Sequence, residues 1–426
     1  MWHIRLLWVI IVPSFIVAFA TILRKASGPF WLGKNLDPDY AYLMNALSLT
    51  QGLSVGHSDH PGSTLQWAEA IWLYGIHFLL GKDDLVTDVL TRPEFYLGYM
   101  HMILLSILFI TLLLAGWLTF KWTGDRVAAL LMQVGILMSY TTRASLVRMS
   151  PEPMLVILGL WLAITVLYHH HQVQQGSQKE PYWQYGLITG MGMGLKLTFL
   201  PLWFLPLVLL KRINHTFYLG ISGIVFLVLT ANPFMNFFGW IQFTFEDLGA
   251  RKGYNRPVEM GSSKFQAMID GLTLLQENIW KLEKPLILLV LIFLSQGLLV
   301  LLVKSYKEAN NTALWNLRLW GGFVLTLSGQ IILVANGPSA QLHYLSPMLG
   351  LTGLLAALSW RWPPMPLNPK LKSLSWGKVT YLIIIFIMIM GITIQQLPGE
   401  VDLAAAGANK WQEAHQFKTD NSLLDT

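Results

Sequence analysis

The feature that most constrains this chain is the return, again and again, of long apolar runs. A helix needs about 17–25 apolar residues to cross the hydrocarbon layer of a membrane. Lipid accepts only structures whose backbone groups are satisfied internally. The sequence therefore predicts an all-α, polytopic membrane protein. About eleven transmembrane helices are expected, with a range of 10–12. The spans are Ile4–Leu23, Pro93–Phe120, Arg126–Thr142, Pro151–Tyr168, Trp183–Leu200, Pro201–Leu210, Phe217–Ala231, Leu286–Val303, Leu319–Ala335, Leu342–Leu358 and Val379–Gln396. A further apolar piece, Leu65–Leu80, carries Glu69 and His77 and is expected to lie along the membrane interface.

Composition supports this class. The chain is 54% hydrophobic and only 12% charged, and its 18 Trp and 14 Tyr suit aromatic belts at the two membrane surfaces. The absence of Cys excludes disulfides and thiol catalysis. The pI near 9.3 does not imply a nucleic-acid partner, because the basic residues are spread over short loops. The N-terminus imitates a secretory signal, with Arg5, an apolar run and Ala18-Phe19-Ala20. The run continues to Leu23 and meets Arg24-Lys25, which favours an uncleaved first helix.

Charge sets the expected orientation. With a cytoplasmic N-terminus, the inside loops hold Lys121, Arg126, Lys179, Lys211, Arg212, Lys304, Lys307, Arg318 and the basic residues from Arg361 to Lys378. Only Asp125, Glu180 and Glu308 fall inside, leaving 20 of the 23 acids outside. One transmembrane domain is expected over residues 1–426. A first outside loop spans 24–92, a second spans 232–285, and a short outside tail spans 397–426. The protein is expected to be multi-pass in a bacterial inner membrane, with its working face towards the periplasm or exterior.

The first outside loop concentrates candidate chemistry. Asp37-Pro38-Asp39 precedes a segment that reads as a helix from Tyr40. An acid there can cap the helix, or it can take a proton from a substrate. Asp39 directly precedes the helix and suits the cap, which leaves Asp37 as the preferred base. Farther on, His57, Asp59 and His60 sit beside a Pro61-Gly62 turn. They can assist the base, or as nitrogen and oxygen donors hold a divalent metal. No cofactor is required.

Other candidates lie at the ends of later spans. Arg143 and Arg148 stand outside, against the positive-inside trend, and suit an anionic partner. Glu152, after Ser150-Pro151, reads as a helix start unless an arginine pairs with it. Lys196, in "GMGMGLKLTFLP", is a charge inside an apolar span and marks a functional site, or else snorkels to the headgroups. Either way its ammonium ends near phosphate. Tyr254, in the second outside loop, sits in a polar and aromatic segment that suits sugar stacking or a plain interfacial helix. His343 and Tyr344, in "HYLSP", can anchor the interface or line a site with Lys196. No phosphate-binding glycine loop or nucleotide motif is present.

The pattern of "DPDYAYLMNAL", "DHPGSTLQ", "SPEPML", "GLKLTFLP" and "HYLSP" resembles the GT-C superfamily of integral-membrane glycosyltransferases. It is nearest the protein O-mannosyltransferase and aminoarabinose-transferase branch, the glycosyltransferase family 39-like proteins. The similarity runs to about Pro347. It implies transfer of a sugar from a polyprenyl-phosphate donor to an unidentified glycan, lipid or protein acceptor outside the membrane. An acid of the first loop would be the base at Asp37 or Asp39, with Asp59 as the second acidic element. The family's frequent Asp-Glu pair is here Asp-Pro-Asp. The lipid bilayer is the other expected partner. A transporter or lipid flippase is the rival reading, though no inverted repeat is visible. A polysaccharide polymerase or ligase is a second rival, but such proteins usually carry their large outside loop late in the chain.

Overall fold

The computed structural model describes residues 7–32, 39–56, 62–242, 264–302, 311–336 and 341–361. Every regular element among them is helical. In chain order they are α1 (Leu7–Ala26), a 3-10 turn (Phe30–Leu32), α2 (Asp39–Thr50), α3 (Ser63–Leu80), α4 (Leu85–Thr91) and α5 (Pro93–Thr123). Then come α6 (Arg126–Val134), α7 (Tyr140–Ser145), α8 (Pro151–Gln174), α9 (Tyr182–Leu195), α10 (Phe204–Leu209), α11 (Arg212–Thr230) and α12 (Phe237–Gln242). The last described helices are α13 (Lys264–Leu282), α14 (Lys284–Leu302), α15 (Asn311–Asn336), α16 (Ser346–Leu349) and α17 (Thr352–Arg361).

Five of these helices are long and apolar enough to cross a membrane: α1, α5, α8, α11 and α15 over Leu314–Asn336. The bent pair Leu342–Leu349 and Thr352–Trp360 makes a sixth if it is one span, with a 51° kink. The eleven expected spans are thus met in part, and Val379–Gln396 lies outside the described residues. The difference has local causes. The expected span at 126–142 breaks at Gly135 into a 3-10 turn, and Ser139 is extended. The expected span at 183–200 stops at Leu195, where Lys196 is extended.

Helix α8 is the hub. It is apolar on all sides and almost wholly buried, the signature of a helix surrounded by others. Its neighbours include α5, α9, α15 and α16. Gly159 permits the closest of these approaches, because a Cβ there would stand 2.6 Å from Pro347 O and 2.8 Å from Gly350 Cα. Helix α5 has 31 residues, about 46 Å at 1.5 Å per residue, so it is longer than a ~30 Å hydrocarbon layer. Its first turn therefore reaches the loop that carries the candidate site. Asp125 caps α6 by accepting from Val127 N (2.9 Å) and Ala128 N (3.1 Å). Its other oxygen accepts from Trp360 Nε1 at 2.9 Å, which fastens α17 to α6.

Helix α3 departs from the expectation of a simple interfacial helix. Ile71, Tyr74, Phe78 and Leu79 are exposed, as that reading requires. The opposite face buries Leu65, Gln66, Glu69, Leu73 and Ile76, and α3 packs on α2, α5 and α9.

Candidate active site

Two motifs far apart in sequence meet here. Helix α9 ends at Leu195, and Lys196 takes extended angles (φ −160°, ψ 139°) before the 3-10 turn Leu197–Trp203. A helix end leaves carbonyls without partners, and burying them unpaired is costly. The start of α3 supplies the missing donors. Thr64 Oγ1 donates to Met191 O (2.7 Å), Ser63 Oγ to Gly194 O (2.6 Å) and Gly62 N to Leu195 O (2.9 Å). Gly62 does this at φ +58°, a conformation that residues with a Cβ rarely adopt. "GST" and "GLKLTF" thus form one joint, and Lys196 sits in it.

Lys196 faces inward. Its Nζ donates to Glu152 Oε1 at 2.8 Å, and both side chains are buried. Nζ also stands 4.9 Å from the Tyr344 ring centre, a cation–π distance. Tyr344 in turn packs on His343, with ring centres 4.2 Å apart. Lys196 therefore does not snorkel. Glu152 does have a cationic partner, a lysine where an arginine was the expected condition. Pro151 opens α8 as expected, but Ser150 makes no side-chain capping bond.

Beside this pair lies a cavity of about 320 Å³. Its wall includes Tyr140, Thr141, Arg148, Glu152, Asn278 and His343. Arg148 is the informative residue, because its Nη1 is buried and makes no hydrogen bond among the described residues. A buried guanidinium nitrogen without a partner is unusual enough to demand a reason. Arg143 plays a different part. It is among the largest fully buried side chains, its Nη1 donates to Leu137 O at 2.6 Å, and it does not line the cavity. Of the two arginines expected to share an anion, only Arg148 faces the space for one. The wall is fixed from a distance by Glu283. Its carboxylate accepts from Ser139 Oγ (3.0 Å), Tyr140 N (3.1 Å) and Thr141 N (2.8 Å). Burial raises the pKa of this carboxyl, and those bonds and the Arg143 charge oppose the rise.

Two acids lie behind the Arg148 turn. Asp39 is the first residue of α2 and is buried, and its Oδ1 accepts from Met149 N. The expected local cap is therefore a long-range bond, one that ties α2 to the turn before α8. Burial raises the Asp39 pKa against the pull of the Met149 amide, Arg148 and Arg24. Glu69 is fully buried, and neither carboxylate oxygen has a hydrogen-bond partner. Burial pushes its pKa well above the usual range, and the Asp39 charge adds to the rise. Sequence reasoning missed Glu69. The signal was its spacing: Leu65, Leu73 and Ile76 stand four before, four after and seven after it, on one helical face.

Glu94 holds the flanks of the first loop. It accepts from Phe30 N (3.1 Å) and Trp31 N (3.4 Å) on one side, and from Tyr40 Oη (2.8 Å) on the other. Asp37, His57, Asp59, His60 and Tyr254 lie outside the described residues. The metal reading at His57, Asp59 and His60 therefore has no geometry to be set against. Among the described residues, no group of three or more His, Asp or Glu is placed to hold a metal.

No family model matches the chain, and no curated protein does. Among solved structures, the crystal structure of ArnT from Cupriavidus metallidurans bound to undecaprenyl phosphate is similar over 92% of this chain and 74% of that one, at 14% identity and a TM-score of 0.44.

Proposed function

We propose that this protein is a glycosyltransferase that moves a sugar from a polyprenyl-phosphate donor to an acceptor at the outer face of the membrane. The observation that carries the reading is the cavity lined by Arg148, Glu152 and His343, beside which a buried Arg148 guanidinium nitrogen makes no hydrogen bond among the described residues. Its volume of about 320 Å³ is near the lower end of small-molecule sites, roughly 300–1,000 Å³. The displacement needs three things: a base, a fixed cation and a dry setting. A carboxylate of the first loop takes the proton of the acceptor hydroxyl. The acceptor oxygen bonds to the anomeric carbon as the bond from that carbon to the phosphate oxygen breaks. The lipid phosphate departs with the electron pair, and Arg148 meets its charge. One displacement inverts the anomeric centre.

The Lys196–Glu152 pair is close to neutral as a unit, so Arg148 supplies the excess positive charge at the cavity. Asp39 is bound to Met149 N and Glu69 lies behind it, which favours Asp37 as the base, with Asp59 and His60 as its assistants. The test uses purified full-length protein in nanodiscs and sugar-loaded polyprenyl phosphates as donors. Asp37→Asn is expected to lower the transfer rate by about 10²–10⁴-fold with an unchanged melting temperature. Full activity in Asp37→Asn, Asp39→Asn and Asp59→Asn alike would sink the proposal.

A further inference from the structure

Arg148 stands in a turn whose backbone is gripped on both sides by side chains from three different helices. On one side, Leu146 O accepts from His101 Nε2 of α5 at 2.7 Å. Next to it, Val147 O accepts from Arg24 Nη1 of α1 at 3.0 Å. On the other side, Met149 N donates to Asp39 of α2. The two gripping cations or rings share one support. The Arg24 guanidinium carbon lies 4.0 Å from the centre of the Phe30 ring. The His101 ring meets that same ring edge-on at 6.2 Å. Phe30 is itself buried, and its amide is held by Glu94. A chain of contacts thus runs from Glu94 through Phe30 to Arg24 and His101, and from them to the Arg148 turn.

We propose that Arg24 and His101 are positioning residues, which hold the Leu146–Met149 turn so that the Arg148 side chain stays at the cavity wall as a pre-formed phosphate contact. The proposal rests on the reading that the cavity takes a phosphate. Its physical basis is pre-organisation. An arginine on a free turn loses rotamer and backbone freedom when it binds an anion, and that loss weakens binding. A turn already fixed at Leu146, Val147 and Met149, on both sides of Arg148, has little freedom left to lose. The grips also explain why Arg148 Nη1 can be left without a hydrogen bond among the described residues: the backbone that carries it is held. His101 sits in the first third of the long apolar helix α5, and Arg24 lies in the last turn of α1. Neither is expected there from packing alone.

The experiment measures binding by the full-length protein in phosphatidylcholine nanodiscs. One arm adds undecaprenyl phosphate to the bilayer and the other adds inorganic phosphate to the solution. Melting temperature is recorded for every variant. Arg148→Ala removes the contact and is expected to weaken binding by about a hundredfold, as loss of a charge-assisted bond does. His101→Phe keeps ring and bulk but cannot donate, and Arg24→Met keeps the stem alone. Each is expected to weaken binding about tenfold. His101→Gln and Arg24→Lys restore a donor and should recover most of the loss, which a merely structural role would not do. A loss seen only with undecaprenyl phosphate assigns the contact to a lipid headgroup, and a parallel loss with inorganic phosphate assigns it to phosphate as such. Either result supports the proposal. Unchanged binding in Arg148→Ala refutes the phosphate reading, and this proposal falls with it. Weakened binding in Arg148→Ala, with wild-type binding in His101→Phe and Arg24→Met, overturns this proposal alone. Equal losses in His101→Phe and His101→Gln overturn it as well. Should Arg24→Met fail to fold, the two His101 variants decide.

Discussion

Asp88 and Glu69 are both shut off from solvent in neighbouring helices of the first loop, and the structure treats them oppositely. Asp88 is saturated with donors. It accepts from Arg92 Nε and Tyr96 Oη, each at 2.6 Å, and from Lys82 N at 3.1 Å. The Arg92 side chain, more than any other partner, holds its pKa down to about 2. Glu69 has no donor among the described residues, and burial drives its pKa the other way. Asp88 is thus an ionised knot that fastens α4 to α5. Glu69 is a carboxyl whose burial favours the protonated form, set behind Asp39. The difference teaches that burial of an acid says nothing about its role until its donors are counted. Glu152 stands between the two cases, with one strong partner, Lys196, in a buried setting.

Four measurements press on that contrast. The largest effect is expected where one charge of a buried pair is removed. Lys196→Ala leaves Glu152 buried and unpaired, a change that typically costs about 3–5 kcal/mol. The double variant Lys196→Met with Glu152→Met should recover most of that loss in chemical denaturation. Equal stability of Lys196→Ala and wild type would show that the pair is not buried as described. Next comes Asp88→Ala, which strands Arg92 and Tyr96. Its melting temperature is expected to fall by roughly 5 °C or more. The contribution of Asp88 is present above its ordinary value of 3.8 and is lost as pH falls towards about 2. The deficit of the variant should therefore be full at neutral pH and narrow only in strong acid.

Glu69 carries the opposite sign. The folded protein keeps a proton that the unfolded chain releases, so stability falls as pH rises above the ordinary glutamate value of 4.5. Glu69→Gln removes that dependence. Its melting temperature at pH 8 is expected to exceed that of wild type by about 2–4 °C, with the two curves converging near pH 4. A lower melting temperature across the whole range would place a hidden partner on Glu69 and end the contrast. The smallest effect is expected at Glu94→Gln. A glutamine can accept from only part of the donor set of Phe30, Trp31 and Tyr40, a loss of about 1 kcal/mol. Since the chain has no Cys, spin labels at Gln51→Cys, the residue after α2, and Met102→Cys can report the distance between the end of α2 and α5. That distance should broaden in the variant.

Much of the architecture was legible because lipid imposes a simple rule of length. The runs at Pro93, Pro151 and Leu319 became helices close to where hydropathy put them, with Pro93 and Pro151 opening theirs. The breaks at Gly135 and Lys196 were not legible. Hydropathy averages over a window, whereas a break depends on whether a distant donor can take the freed carbonyls. At the site, Lys196 was visible as a charge inside an apolar span, and Arg148 as a cation on the outside against the trend of the other basic residues. Arg24 was not, since a basic pair after a first span reads as topology. Glu69 was hidden by its apolar neighbours. Its meaning came from the side of α3 that faces the core, and a one-dimensional reading of "interfacial" gave no reason to ask which side.

The joint at Lys196 has a consequence for how the protein is made. Ser63 and Thr64 precede the carbonyls they serve by 131 and 127 positions. During synthesis, the hydroxyls that complete the end of α9 exist long before α9 does. They must wait in the first loop until the fifth apolar run arrives, and until then the break has no stable form, because unpaired carbonyls in an apolar layer cost several kcal/mol each. The end of α9 is thus complete only once the start of α3, with Gly62 turned, has docked on it. A chain without the Ser63 and Thr64 hydroxyls is expected to leave the Gly194 and Met191 carbonyls short of donors at the point where Lys196 turns towards Glu152.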